Sequence, residues 1–327
     1  MIYKQRGVPK ILLGQQALLR RLSPDHSKFK KLQKDYYNSQ AGYSGEKDFD
    51  YQMREFKPDY PYAILHDVYL QQDQIYFQID SLLITSSYIV VFEVKNMAGK
   101  LLITQHPTQF IKEELNGERT VLKSPIEELE RKKYFLTRWL RKNGVEIPLI
   151  DFVVLAYQNE LIIENLTTDK VAFSYEMPNR LRKLEMNREW LSGREIRQLA
   201  NQINSFHCNY NPFPLNKKYE VLPKDIRPGV YCTACQQLQM SWVVKTWRCS
   251  NCGHRDLHAH YLALHDWYCI NGPLITNKQL RQFLQINSRH TARRLLTTPN
   301  TRVTGNGRGA VHYISPKVLT SNELSYN

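Results

Sequence analysis

The chain is poor in acidic residues: over 327 residues, 31 Asp and Glu face 45 Lys and Arg, leaving a net charge of +14. A deficit of that size favours a polyanionic partner, either nucleic acid or an anionic membrane surface. Long apolar runs are also missing. The longest central one, Ile89-Val90-Val91-Phe92, is far too short to cross a bilayer. The opening MIYKQRGVPKILLG is basic but has only Ile11-Leu12-Leu13 before Gly14, too little for a secretory leader. Cysteine is scarce, and four of the six lie in two CxxC pairs, which fits metal ligation in a reducing compartment better than disulfides. A cytoplasmic protein with no membrane partner and no small-molecule cofactor is expected. No internal repeat or low-complexity tract stands out.

The charge is uneven. From Val221 onward, 13 Lys and Arg stand against 4 Asp and Glu, so the last third is the more strongly basic part. Patterning suggests a basic, partly helical segment over 1–42 that ends in the breaker stretch NSQAGYSG, then an α/β domain over 43–207. In that domain a helix is expected from Ser44 to Phe56. Strands are expected around AILHDVYL, IYFQIDSLLIT, YIVVFEVKN, LLIT and DFVVLAY. Asn116-Gly117 is a type I′ hairpin signal, and Pro125 opens a helix running to Lys142. The Pro- and Lys-rich segment 208–228 reads as a linker, followed by a cysteine-bearing segment over 229–255 and a last module over 256–327.

Chemistry concentrates in IYFQIDSLLITSSYIVVFEVKN. A hairpin turning at Ser86-Ser87 sets Asp80 opposite Glu93 and Gln78 opposite Lys95. Glu93 and Lys95 share a face because side chains alternate along a strand. Two carboxylates opposite each other repel, and a single ammonium offsets only part of that. A hard cation such as Mg²⁺ or Mn²⁺ would supply the rest. Glu46 falls on the stripe of Phe49, Met53 and Phe56 in its helix, where a carboxylate needs a reason to be. Taken alone, such charges also fit an ordinary salt bridge on the solvent face of a sheet.

The runs GEKDF, QIDSLLIT and VVFEVKNMAG, taken together, resemble the NERD (nuclease-related domain) family, within the PD-(D/E)xK nuclease superfamily, over roughly residues 40–160. The resemblance implies a PD-(D/E)xK-like mixed sheet flanked by helices, with Glu46, Asp80, Glu93 and Lys95 at the family's active-site positions. Asp80 and Glu93 would hold Mg²⁺ or Mn²⁺. Relatives often carry Asn-Pro-x-x-Gln at the start of the next helix. Here Ser124-Pro125-Ile126-Glu127-Glu128 stands in its place, so Glu128 occupies the Gln position and adds negative charge.

Cys232-x-x-Cys235 and Cys249-x-x-Cys252 are separated by 13 residues, the spacing of a four-thiolate Zn²⁺ ribbon whose closed site would be structural. His254, His258 and His260 are not needed as ligands. Thr276 and Gln279 form a capping box opening a helix with Leu280, Phe283 and Leu284 on one face. A turn leads to a second helix bearing Arg289, His290, Arg293 and Arg294, then to a hairpin tipped by GNGRG with Arg308. This order resembles a winged helix-turn-helix with the basic residues facing DNA. The same features fit a surface helix and hairpin that bind protein. The expected activity is metal-dependent hydrolysis of DNA phosphodiesters. The alternatives are a catalytically silent DNA-binding protein that keeps the fold, or a protein-interaction scaffold.

Overall fold

The computed structural model describes residues 1–105, 108–164, 168–297 and 301–315, apart from the side chains of Thr168 and Arg308. The chain forms two compact units, Met1–Val8 with Ser39–Tyr210, and Pro9–Asn38 with Asn211–Asn327. The first 42 residues are therefore shared: β1 (Ile2–Lys4) belongs to the first unit, α1 (Lys10–Arg21) to the second, and α2 (Phe29–Gln52) supplies residues to both. No helix among the described residues is long and apolar enough to cross a membrane.

The first unit continues through β2 (Ala63–Gln72), β3 (Ile75–Ile84), β4 (Ile89–Lys95), β5 (Lys100–Thr104), β6 (Gln109–Glu113), β7 (Arg119–Leu122) and α3 (Pro125–Lys142). It closes with β8 (Leu149–Leu155), β9 (Glu160–Glu164), β10 (Val171–Phe173), α4 (Met177–Arg182) and α5 (Gly193–Ser205). Six strands make a mixed sheet in the order β1-β2-β3-β4-β8-β10, and β7-β6-β5-β9 make a second, smaller one. The main sheet is buried on both faces. Leu82, Val91 and Val153 pack with Leu129 and Leu136 of α3 and Leu199 of α5. On the opposite face Val90, Phe92 and Val154 pack with Phe49, Met53 and Leu181. This double burial is why the β4 sequence is an unbroken apolar run up to Glu93. In α3, Glu127 and Glu128 in the first turn and Arg141 and Lys142 in the last complement the helix dipole.

Two local expectations change. The breaker stretch does not break: α2 runs unbroken through Gly42 and Gly45 to Gln52. A helical glycine costs about 1 kcal/mol relative to alanine, and here packing overrides it. Phe49 is fully buried, and a Cβ at Gly45 would collide with the side chains of Asn96 and Ala156. Gly45 is thus the residue that lets α2 approach the end of β4. The β6–β7 hairpin does turn at Asn116-Gly117, but only Gly117 is left-handed (φ 81°). Gly117 N–H donates to Glu114 O and Glu114 N–H to Glu118 O, the three-residue loop with a glycine bulge rather than type I′.

In the second unit come α6 (Leu215–Tyr219), β11 (Met240–Val243), β12 (Thr246–Cys249), β13 (Arg255–Asp256) and α7 (His260–Asn271). They are followed by β14 (Leu274–Thr276), α8 (Asn277–Leu284), α9 (Arg289–Leu296), β15 (Thr301–Thr304) and β16 (Val311–Ile314). β11-β12-β13 form one small sheet and β14-β16-β15 another. The segment expected to be a linker is part of this core, since Leu215, Tyr219, Val221 and Ile226 are buried with Leu18, Trp247, Leu264 and Phe283. Its prolines bend the chain without freeing it.

Arg21 of α1 ties these pieces together. It is fully buried, pairs with Asp266 of α7 at 2.8 Å, donates to the carbonyl of Gly229 at 2.6 Å, and lies 4.5 Å over the Phe283 ring. Burial alone would raise the Asp266 carboxyl, but Arg20 and Arg21 outweigh it and hold it well below the usual range. Asp266→Ala should therefore cost about 3–5 kcal/mol, because it strands a buried guanidinium. The loss is measurable as a lower urea midpoint for the transition that reports on Trp247.

Candidate active site and metal centre

The site of the first unit begins where a sheet ladder stops. β3 and β4 pair from Ile84 opposite Ile89 to Ser81 opposite Phe92, the register set by a turn at Ser86-Ser87. Beyond that pair the strands fork. Asp80 places Oδ2 on the backbone N–H of Val94 at 2.8 Å and so satisfies a donor that a strand would otherwise pair. Across β3, Asp67 of β2 takes a left-handed φ of 52° and leaves the ladder between the His66–Ser81 and Val68–Ile79 pairs. Lys4 Nζ of β1 caps that irregularity, donating to the carbonyls of His66 (3.0 Å) and Asp67 (2.7 Å). Mid-strand irregularities of this kind re-aim side chains beside functional sites.

Four of the residues singled out in the sequence meet at the fork. Lys95 Nζ lies 2.8 Å from Glu93 Oε1 and 2.6 Å from Glu128 Oε2. Asp80 and Glu93 are joined by Lys132 of α3, whose Nζ is 3.5 Å from Asp80 Oδ1 and hydrogen-bonds Glu93 Oε2. Gln78 is not brought to Lys95; its Nε2 donates to Asp67 Oδ1 at 2.8 Å. Glu46 sits beside this group rather than in it. It pairs with Arg6 Nη1 at 2.6 Å, while the same guanidinium pairs with Asp50 at 2.8 Å and donates to the backbone oxygen of Asp80 at 2.7 Å. Asp50 also meets His66 Nδ1 at 3.0 Å, and His66 meets Ser81 Oγ at 2.7 Å.

Arg6, Asp50, His66 and Lys132 were not singled out in the sequence. Lys132 carried a usable signal. It interrupts the buried stripe of Leu129, Leu136 and Leu140 in α3, as Glu46 does in its own helix. Arg6 carried none, because nothing local indicates that the chain start joins the sheet.

The electrostatics follow from burial. Glu46, Asp50, Asp80, Glu93 and Glu128 face Arg6, Lys95 and Lys132, with His66 also on Asp50, so the carboxylates outnumber the permanent cations. Burial pushes the Glu46 carboxyl up to about 7; Arg6 opposes this while Asp80, Asp67 and Asp50 add to it. Glu93 is raised by burial and by the Asp80 charge, against Lys132 and Lys95. Burial would lower Lys95, but Glu93 and Glu128 outweigh it and keep the ammonium protonated. Carboxylate oxygens are the donors a hard divalent cation takes, so Asp80 and Glu93 are the pair that could hold one, in exchange for the bonds their oxygens now make to Val94, Lys95 and Lys132.

In the second unit the four expected thiols converge. The Sγ atoms of Cys232, Cys235, Cys249 and Cys252 all lie within 4.8 Å of one another, with Cys232–Cys252 at 3.7 Å and Cys235–Cys249 at 3.5 Å. A tetrahedron with Zn–S bonds of ~2.3 Å has edges of about 3.8 Å, so the set fits one metal ion. The two knuckles repeat one turn. Gln236 N–H donates to Cys232 O and Gly253 N–H to Cys249 O, and both donor residues are left-handed (φ 58° and 74°). His260 is instead a buried structural group, accepting from Trp247 Nε1 at 3.2 Å.

Ser288 caps α9, which buries Ala292, Leu295 and Leu296 and exposes Arg289, His290, Arg293 and Arg294. Arg294 lies 5.4 Å over the ring of Trp242. The side chain of Arg308 lies outside the described residues.

Residues 41–156 match the family model of NERD, the nuclease-related domain. The likeness to a nuclease-related domain covers just over a third of the chain. The matched span includes Glu46, Asp80, Glu93, Lys95, Glu128 and Lys132 but not Arg6. Comparison with curated proteins and with solved structures finds no match.

Because the Glu46 carboxyl titrates at about 7 in the fold against 4.5 ordinarily, folding favours its protonated form. That contribution is complete below about pH 4.5 and is lost as the pH rises through 7. Glu46→Gln, which mimics the protonated state, should gain roughly 1–3 kcal/mol on the wild type between pH 5 and pH 8.5. Urea denaturation at the two pH values measures this, and equal pH slopes in the two proteins would contradict it.

Proposed function

We propose that the chain is a divalent-metal-dependent nuclease acting on DNA, with Mg²⁺ or Mn²⁺ held by Asp80 and Glu93 and Zn²⁺ held by the four cysteines. The observation that carries the reading is the convergence of Asp80, Glu93 and Lys95 at the fork between β3 and β4, inside a span that matches a nuclease-related domain. When bound, the divalent ion lowers the pKa of a water and offsets negative charge developing on phosphorus. Lys95 stays charged, so it serves as a hydrogen-bond donor to the water or a phosphate oxygen rather than as a base. Glu46, titrating near neutrality, is the carboxylate suited to take up a proton.

The second unit supplies the DNA-binding surface in this reading. Its order of helix, short strand, two helices and hairpin, with β14 paired to β16, supports a winged helix-turn-helix reading. α9 then faces the major groove with Arg289, His290 and Arg293, Arg294 rests on Trp242, and Arg308 on the hairpin serves the phosphates. The thiolate site is closed and holds the ribbon in shape.

One observation favours a second reading, a silent DNA-binding protein that keeps the fold. Lys132 already bridges the two carboxylates, so a metal ion must share or displace it.

Cleavage of plasmid and single-stranded DNA with Mg²⁺ or Mn²⁺ separates the readings. The nuclease reading expects Glu93→Ala and Lys95→Ala to lower the rate about 100-fold or more with DNA affinity unchanged. DNA binding without cleavage under any metal or DNA form would leave only the silent binder. Arg289→Ala and Arg293→Ala should each weaken binding and reduce the slope of log affinity against log salt by about 1. Metal analysis should find zinc in the purified protein, and Cys249→Ser should abolish it and unfold the ribbon.

A further inference from the structure

We propose that a pocket in the second unit, apart from α9 and from the nuclease-like site, binds one unpaired nucleotide. The cavity is about 410 Å³ and lies where the first cysteine knuckle meets the turn between α8 and α9. That volume is in the range of small-ligand sites, ~300–1,000 Å³. Its lining includes Arg20, Arg227, Tyr231, Gln236, Gln239 and Gln285.

Three independent features point to the same ligand. The first is charge. Arg20 pairs with Asp266 at 2.6 Å, and Arg227 beside it on the pocket wall makes no ion pair among the described residues. Arg227 is fixed in place by donating to the backbone oxygen of Arg20 at 3.0 Å. The pocket wall is therefore cationic and suits a phosphate. The second is an aromatic face. Tyr231 is half-buried beneath the Arg20 guanidinium, 6.0 Å away, and a base can stack on it.

The third feature is backbone conformation. Gln236 and Gln285 both hold left-handed φ, 58° and 57°, which favours glycine. The knuckles supply an internal comparison. The position equivalent to Gln236 in the second knuckle is Gly253, with the same donated bond and φ 74°. Gln285 is the left-handed C-cap of α8, again a position where glycine is usual. The chain thus keeps two amide side chains at strained positions where glycine fits better, and both line this one cavity. A glutamine amide, with one acceptor and one donor group, can read the hydrogen-bonding edge of a base, adenine best. A cationic wall, a ring and amides together suit a nucleotide better than a bare anion.

The inference extends the DNA-binding reading of this unit but does not rest on cleavage. The test uses the full-length, zinc-loaded protein, titrated by calorimetry with dAMP, inorganic phosphate, a short single-stranded oligonucleotide, an acidic peptide and duplex DNA. The double variant Q236G/Q285G removes both amides while relaxing the backbone. It should lose about tenfold or more in dAMP and single-strand affinity. Its thermal midpoint should stay within about 3 °C of the wild type, and its duplex affinity should be unchanged. Tyr231→Leu should weaken dAMP equally while sparing phosphate. Binding of dAMP but not the oligonucleotide would assign the site to free nucleotides, within the same chemistry. Absence of saturable dAMP binding, unchanged dAMP affinity in Q236G/Q285G, phosphate binding as tight as dAMP, or preference for the acidic peptide would each overturn the proposal. If duplex DNA fails to bind while dAMP binds, the groove-facing role of α9 falls and the pocket stands.

Discussion

Negative charge buried at the end of a β-ladder is the constraint around which the first unit is arranged. Asp80 and Glu93 are almost inaccessible, at 6% and 3% exposure, and an uncompensated carboxylate there would be very costly. Each neighbouring feature reduces that cost. Val94 N–H bonds Asp80, Lys132 reaches both carboxylates, Lys95 binds Glu93, and Arg6 donates to the Asp80 carbonyl. Burial still raises the carboxyl pKa values of Glu46 and Glu93, with neighbouring carboxylates adding to it and the cations opposing it.

The second unit solves a different problem. It is assembled from short elements that could not each bury a core alone. Two polar devices fasten them: the buried Arg21–Asp266 pair, which links α1, α7, α8 and the start of the ribbon, and the four converging thiols. The ion pair also explains why α1 belongs to this unit. Its arginine has no other carboxylate partner among the described residues, so α1 is specified by charge as well as by Leu18 and Leu22.

How far the sequence could be read depended on the range of the interactions. The β3–β4 register and the limits of α3 came from alternation, the Ser-Ser turn and a proline at the first helical position, all local signals. The four cysteines were legible because metal geometry restricts spacing. What escaped depends on distant partners. Arg6 acts on residues some forty to eighty positions away, and the continuity of α2 through Gly45 depends on Asn96 and Ala156. The stretch around Leu215 looked like a linker because prolines and lysines dominate it, yet its few apolar residues are the ones buried. Lys132 was legible in principle, as a charged residue inside an apolar stripe, but in isolation such a lysine also fits a chain that merely snorkels to solvent.

The departure at Glu128 takes on a different meaning once its partner is known. A glutamate where related sequences carry glutamine adds negative charge, which by itself would strengthen repulsion around Glu93. The added charge, however, is spent on Lys95, which Glu128 holds at 2.6 Å. Lys95 is thereby clamped between two carboxylates and kept protonated, which narrows it to a donor's part. Lys132 brings a second ammonium to the opposite side of Glu93. Lys132 thus places a cation in the gap between Asp80 and Glu93. Any divalent ion that binds between these carboxylates must compete with a tethered ammonium. In the proposed reading, affinity for the ion, rather than the presence of candidate ligands, is the quantity on which activity turns.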